Sequence, residues 1–303
     1  TRMPAGLLGI EDLSREEIEA ILNRAKDYQP VQDHFKRLDI LKGRMIVNLF
    51  FEASTRTRTS FEIAAKRLGA DAVSITASGS SVSKGESLVD TLNTLAAMRP
   101  SAIVMRHSAS GAPHFLARHL PIPIINAGDG THEHPTQALL DARTILDLRP
   151  SLEGLRVAII GDIVHSRVAR SNIYLLSKFG VDIVLCGPAP LLPPELARIA
   201  PGVRITYDIR EAIRDADVIM MLRVQLERQH EAAFPAGEYF HFFGLRNEHL
   251  GLARPGAIVM HPGPINRGRE IASEVADSQV SAILNQVENG VAVRMAVLER
   301  ILG

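Results

Sequence analysis

The chain has a single cysteine, no net charge and no hydrophobic stretch long enough to cross a membrane. Each shortage closes off a class of protein. The lone thiol, Cys186, makes no disulfide within the chain and cannot found a cysteine metal cluster. Lys+Arg and Asp+Glu both total 34, so no net field draws the chain to nucleic acid or to an anionic membrane. The first ten residues, TRMPAGLLGI, lack the layout of a signal peptide, and a cytoplasmic location is the expectation. The spacing G-x-G-x-x-G is missing too: GDIVHSRVARS (161–171) resembles a dinucleotide turn only loosely, and nothing supports NAD binding. There is no internal repeat, no low-complexity tract and no shift in composition that marks a linker.

What remains is a globular composition, 46% hydrophobic and 22% charged over 303 residues, enough for two domains with their own cores. Ser14 and Glu17 form a capping box, and Ile18, Ile21, Leu22 and Ala25 give the stripe of a helix that Pro30 ends. Apolar strand candidates follow at 44–51, 71–77, 101–107 and 121–128, with helical patterns at 55–68, 87–98 and 112–119 between them. A second series begins with a helix at 134–146, Pro135 at its first position. It continues with strands at 156–162, 182–188, 203–207, 217–222 and 257–264 and a helix at 166–180. Residues 223–240 read as a long functional loop. The C-terminal run 278–302 reads as helix interrupted near Asn289-Gly290. Alternation of this kind predicts an α/β fold of two doubly wound domains, each a parallel sheet with helices on both faces.

The densest chemistry lies in FFEASTRTRTSFE (50–62). Ser54, Thr55, Arg56, Thr57 and Arg58 fall in the first turn of a helix that leaves a buried strand. A helix N-terminus presents unpaired N–H groups and a positive dipole end, hydroxyls add short hydrogen bonds, and arginine adds a planar fork that fits phosphate oxygens. An ordinary N-cap followed by two solvated arginines is the plainer alternative, and the concentration of groups favours phosphate.

In open parallel sheets ligands gather beyond the carboxyl ends of the strands. Those ends carry Ser54 to Arg58, Arg106-His107, Gly128 to Gly130, Gly161-Asp162 with Arg167 nearby, Arg223, and His261 to Pro264. Arginine at four of these six ends suggests a small, multiply anionic substrate. His132 and His134, with Glu133 between them, could contribute to a metal site, but Pro135 starts a helix that splays the rings and no other dense ligand cluster exists. His134 and Gln137 instead lie one helical turn apart at a second helix N-terminus, although a buried core histidine is also a common use of such a residue. Lys84, in the small-residue loop 78–87, reads on its own as an exposed loop lysine.

These stretches resemble the motifs of the aspartate/ornithine transcarbamoylase family: STRTR (54–58), SxxxKGE (80–86), MRH (105–107), NAGDG with HPTQ (126–137), RVQxER (223–228) and HPGP (261–264). The likeness runs from the first helix to the C-terminus. It implies a carbamoyl-phosphate domain, 1–130 plus 285–303, and an aspartate domain, 131–284. It further implies that Ser54, Thr55, Arg56 and Thr57 hold the phosphate of carbamoyl phosphate. Thr57, Arg106 and His134 would face its carbonyl oxygen, with Gln137 and the backbone at Gly263 and Pro264 near its amine. The catalytic set is then Arg56, Thr57, Arg106 and His134. Arg167, Arg223 and Gln225, with Lys84, would receive the carboxylates of L-aspartate. In this family the loop bearing Ser80 and Lys84 reaches a neighbouring chain's site, which implies a homotrimer. No cofactor or metal is implied.

An ornithine site would carry an acidic D-x-x-x-S-M-G stretch and H-C-L-P; the corresponding places here read RVQLER and HPGP, and Cys186 lies in mid-strand. Aspartate is therefore the expected acceptor, early in pyrimidine biosynthesis. HPGPINRG also looks like forms that assemble with dihydroorotase or a dihydroorotase-like chain. A catalytically silent scaffold for such an assembly would have lost motif residues, and none is missing.

Overall fold

The computed structural model describes residues 6–30, 37–76, 87–224 and 235–303. Two parallel sheets organise these residues. In the first, β1 (Met45–Phe50), β2 (Asp71–Thr76), β3 (Ala102–His107) and β4 (Ile124–Asp129) lie in the order β2-β1-β3-β4. In the second, β5 (Arg156–Ile160), β6 (Asp182–Cys186), β7 (Arg204–Thr206), β8 (Val218–Met221) and β9 (Ile258–Met260) lie in the order β7-β6-β5-β8-β9. Both orders reverse direction once, between β1 and β3 and between β5 and β8. Each sheet therefore has a switch point where successive connections leave for opposite faces and open a crevice at the strand ends.

The inner strands are apolar on both sides because helices cover both, while the edge strands β2 and β7 are partly exposed. Val47, Leu49, Ile103 and Met105 pack with Leu92 and Leu95 of α3 (Leu88–Ala97) and Leu116 of α4 (Ala112–Ala117). In the second sheet Ala158, Ile160, Val184, Cys186, Ile219 and Met221 form one core with Ala212 and Ile213 of α7 (Ile209–Ile213) and Tyr239 and Phe243 of α8 (Ala236–Phe243). Each fully buried Leu, Ile or Phe contributes roughly 1.5–3 kcal/mol of transfer free energy.

Local chemistry sets the helix ends near the strand tips. Ser14 caps α1 (Arg15–Asp27) through the capping box with Glu17. Ser54 caps α2 (Thr55–Arg67), its hydroxyl accepting from Thr57 N–H at 3.3 Å. At the far end Gly69 adopts φ 87°, and a Cβ there would collide with the Leu38 carbonyl, so the turn requires glycine. Pro135 opens α5 (Pro135–Leu148), and Ser166 caps α6 (Arg167–Ser177), accepting from Ala169 N–H at 3.1 Å.

The chain separates into two compact units, residues 1–143 with 288–303 and residues 144–287, where the family resemblance sets divisions near 130 and 285. The divisions fall inside α5 and inside α11 (Ile283–Leu302).

Three expectations change. First, α11 runs without interruption through Asn289-Gly290. Gly290 is a packing residue, since a Cβ there would meet the Arg294 Nη1 at 2.7 Å. Second, part of the expected loop 223–240 is helix α8, while 225–234 lie outside the described residues. Third, the strand expected at 257–264 is only β9, as Pro262 and Pro264 have no N–H for a ladder. The short helices α7, α9 (Asn247–Leu250) and α10 (Ser273–Ala276) are too brief to leave a periodic signal.

Candidate active site

At the switch point of the first sheet, β1 delivers Ser54 and the start of α2, and β3 delivers Arg106. Arg106 is buried, and its guanidinium is fixed on several sides. Nε donates to the Ala127 carbonyl at 2.8 Å, Nη2 donates to Thr57 Oγ1 at 3.2 Å, and the same Nη2 lies 3.2 Å from His134 Nε2. The Phe50 ring lies 5.7 Å from its carbon. Arginine has no acceptor, so His134 Nε2 accepts in this arrangement and its proton sits on Nδ1. For Nε2 to donate to an incoming oxygen, the imidazole must take a proton there or change tautomer. Thr57, Arg106 and His134 thus converge on one point beside the N-terminus of α2, all of them buried.

Ser54 is spent in part on the cap, while Thr55 and Arg56 are exposed at the helix start. Gln137, one turn after His134 on α5, donates its Nε2 to Asp141 Oδ1 at 3.0 Å. Ser80, Lys84 and Gln225 lie outside the described residues.

The turn that presents His134 is held by residues that sequence reasoning missed. Asp129 Oδ1 accepts from Asn126 Nδ2 at 2.8 Å and Glu133 N–H at 3.0 Å; Oδ2 accepts from Gly111 N–H at 2.7 Å and lies 3.0 Å from His132 Nδ1. Burial opposes ionisation of Asp129, but the bonds from His132, Gly111, Asn126 and Glu133 outweigh it and hold its carboxyl below the usual range. Glu133 reaches back to the N-terminal segment, accepting from Ile10 N–H at 2.8 Å and Glu11 N–H at 3.3 Å. Asn126, His132 and the Glu133 N–H lie close to Asp129 in the chain, but Gly111 and the Ile10 and Glu11 N–H groups that Glu133 holds come from distant segments, and no local pattern announces those contacts.

Two groups, His114-Asp129-His132 and Glu11-His132-Glu133, bring possible metal-ligand atoms within 4.8 Å of one another. The Asp129 and Glu133 carboxylates in them are already engaged by backbone N–H groups, as given above, so the donor set fits a structural network better than an ion. His132 turns to Asp129 and His134 to Arg106, so the two rings serve separate partners.

The second unit repeats the plan at its own switch point. Arg167 opens α6 behind β5 and is buried; Arg223 follows β8, the neighbouring strand. Gly161 adopts φ 150° at the end of β5, and a Cβ there would press on Leu222 at 2.7 Å. Asp162 accepts from His165 N–H at 3.3 Å and closes the turn into α6. Gly263 and Pro264 follow β9, next to β8, and are joined by a cis peptide.

Two family models match. The carbamoyl-phosphate-binding domain of aspartate/ornithine carbamoyltransferases matches residues 6–147, and their aspartate/ornithine-binding domain matches residues 153–301. The chain is 81% identical over 302 residues to the aspartate carbamoyltransferase catalytic subunit of Solibacter usitatus, covering 99% of this chain and 100% of that one. It is 56% identical over 299 residues to the catalytic subunit of Geotalea uraniireducens, covering 98% and 96%. Among solved structures, the Trypanosoma cruzi aspartate transcarbamoylase with N-(phosphonacetyl)-L-aspartic acid superposes with a TM-score of 0.88 at 32% identity, over 99% and 96% of the two chains. The Pyrococcus furiosus ornithine carbamoyltransferase gives 0.89 at 30%, over 99% and 97%.

Proposed function

We infer function from one premise: the chain belongs to the aspartate/ornithine carbamoyltransferase family. It is an aspartate carbamoyltransferase, moving the carbamoyl group of carbamoyl phosphate to the α-amino group of L-aspartate and releasing phosphate. The observation that carries this over the ornithine alternative is the full-length 81% identity to an aspartate enzyme, since the fold matches both kinds equally well. The basic RVQLER stretch agrees with it, because an α-carboxylate and a side-chain carboxylate call for cations.

In the proposed mechanism the first unit binds carbamoyl phosphate and the second binds aspartate. The exposed Arg56 and Thr55, with Ser54 and Thr57, receive the phosphate at the start of α2, where helix N–H groups favour an anion. Arg106, Thr57 and His134 meet the carbonyl oxygen. Arg167 and Arg223, with Gln225 and Lys84, take the two carboxylates. The neutral amine attacks the carbamoyl carbon, negative charge grows on its oxygen, and the oriented Arg106 and Thr57, with His134 once its Nε2 carries a proton, stabilise that state more than the ground state. The bond between the carbamoyl carbon and the oxygen that bridges it to phosphate then breaks, and the departing phosphate accepts the ammonium proton. Gln137 and the backbone at Gly263 and Pro264 serve the carbamoyl amine.

The active assembly we propose is a homotrimer in which Ser80 and Lys84 complete a neighbour's site, supported by the SxxxKGE motif. HPGPINRG supports a larger complex with a dihydroorotase-like chain. No described helix is long and apolar enough to cross a membrane, and with one buried cysteine we place the protein in the cytoplasm.

The test is transfer by the purified chain supplied with carbamoyl phosphate and either amine. N-carbamoyl-L-aspartate without citrulline is the expected product. Citrulline would overturn the assignment of Arg167 and Arg223.

A further inference from the structure

At the Gly263-Pro264 backbone lies a buried His261–Glu270 hydrogen-bonded pair that the proposed chemistry leaves unused. His261 and Glu270 have side chains with no exposed surface, and His261 Nε2 lies 2.9 Å from Glu270 Oε1. His261 Nδ1 accepts the Gly263 N–H at 2.8 Å, so the proton is on Nε2 and that nitrogen donates to the carboxylate. Glu270 Oε1 also accepts the Asn266 N–H at 2.7 Å. One carboxylate oxygen thus pins both ends of the loop 261–266, one through the imidazole and one directly. The backbone N–H of His261 is held by Gln286 Oε1 at 2.9 Å, and Asn266 Nδ2 donates to the Val224 carbonyl at 3.1 Å, beside Arg223.

Two features give this a direction. Burying a carboxylate costs free energy that an apolar loop closure would avoid, so its worth lies in fixing geometry. Pro264 has no N–H and the Gly263 N–H is used internally, so this dipeptide has only carbonyl oxygens left to offer a ligand. Carbonyl oxygens suit an N–H donor, such as the carbamoyl amine or the attacking amine of aspartate, and do not suit phosphate or carboxylate.

We propose that His261 and Glu270 are positioning residues that hold the Gly263-Pro264 carbonyls as a fixed acceptor pair for a substrate amine. The proposal rests on the carbamoyl-transfer reading, and the assay first establishes that the wild-type chain carbamoylates aspartate; if it does not, it is that reading that fails.

The variants are His261→Gln, His261→Asn, Glu270→Gln and Glu270→Ala. Glu270→Gln keeps an acceptor oxygen for both bonds and should stay within about threefold of wild type. His261→Gln keeps the reach to Glu270 but loses the acceptor for Gly263. His261→Asn keeps that acceptor and loses the link to Glu270. Both of these, and Glu270→Ala, should lower kcat by roughly ten- to a hundredfold, the scale of a small misplacement at a reacting centre. Inhibition by inorganic phosphate should stay unchanged in all four, because phosphate binds at α2 in the other unit. Should Glu270→Ala fail to fold, the two His261 variants decide. Wild-type kcat in both His261 variants, or phosphate inhibition that weakens in step with kcat, would overturn the proposal.

Discussion

The two switch points occupy the same topological place and are built in different ways. In the first unit the side chains that our account assigns to the carbonyl oxygen brace one another: Arg106 is tied to Ala127, Thr57 and His134 within one buried cluster. In the second, the arginines that face substrate in our account are held by the turn into α6 and by β8, and the adjacent backbone loop is braced from behind by His261 and Glu270. The difference follows the job. Charge develops on the carbonyl oxygen only in the transition state, and donors there act best when already oriented. Carboxylates are present from the start, so their receptors need attraction and reach more than preorganisation.

That contrast predicts a ranking. The largest effect belongs to Arg106→Ala, which removes a donor to the oxygen and the support of both Thr57 and His134; turnover should fall on the order of 10³-fold. Arg106→Lys should not rescue it, because an ammonium cannot reach three acceptors from one plane. Removing His134 alone should cost on the order of 10²–10³ in kcat, with little change in inhibition by inorganic phosphate. Arg167→Gln should be milder and of another kind. The KM for aspartate should rise about ten- to a hundredfold, the worth of one charge-assisted hydrogen bond, while carbamoyl phosphate binding holds. Equal losses of kcat in Arg106 and Arg167 variants would break the contrast.

Two smaller effects concern stability. The pKa of Asp129 is lowered on folding, so its contribution is fully present above the unfolded value, near 3.8, and is lost as pH falls through the folded value. Acid unfolding followed by circular dichroism should therefore show a loss of stability below about pH 4 that is absent in Asp129→Asn. Ser54→Ala removes the cap of α2 and should cost about 1 kcal/mol in denaturant melts, with a further loss of phosphate affinity that Ser14→Ala would not share.

Much of this was legible in the sequence. Ser14, Ser54 and Pro135 mark helix starts because capping is a local transaction between neighbours, and apolar runs bounded by turns mark every strand. Placing Arg106, Arg167 and Arg223 at strand ends followed from the same runs. What stayed hidden depends on contacts that form only once the chain has folded. Gly290 reads as a helix break by propensity, yet it makes room for Arg294, whose Nη1 donates to Ser60 Oγ on α2 at 3.0 Å. Glu133 looks like a candidate ligand beside two histidines until the fold brings Ile10 N–H to it. Glu270 has no motif at all, since its partners His261 and Asn266 gain meaning only once the loop has closed.

The division of labour between the units is the central claim, and the double variant Arg167→Gln, Arg223→Gln tests it most directly. Equilibrium binding of carbamoyl phosphate to that protein should match wild type within about twofold, while aspartate turnover disappears at concentrations that saturate the wild-type chain. Loss of carbamoyl phosphate binding, or turnover with an unchanged KM for aspartate, would contradict the account.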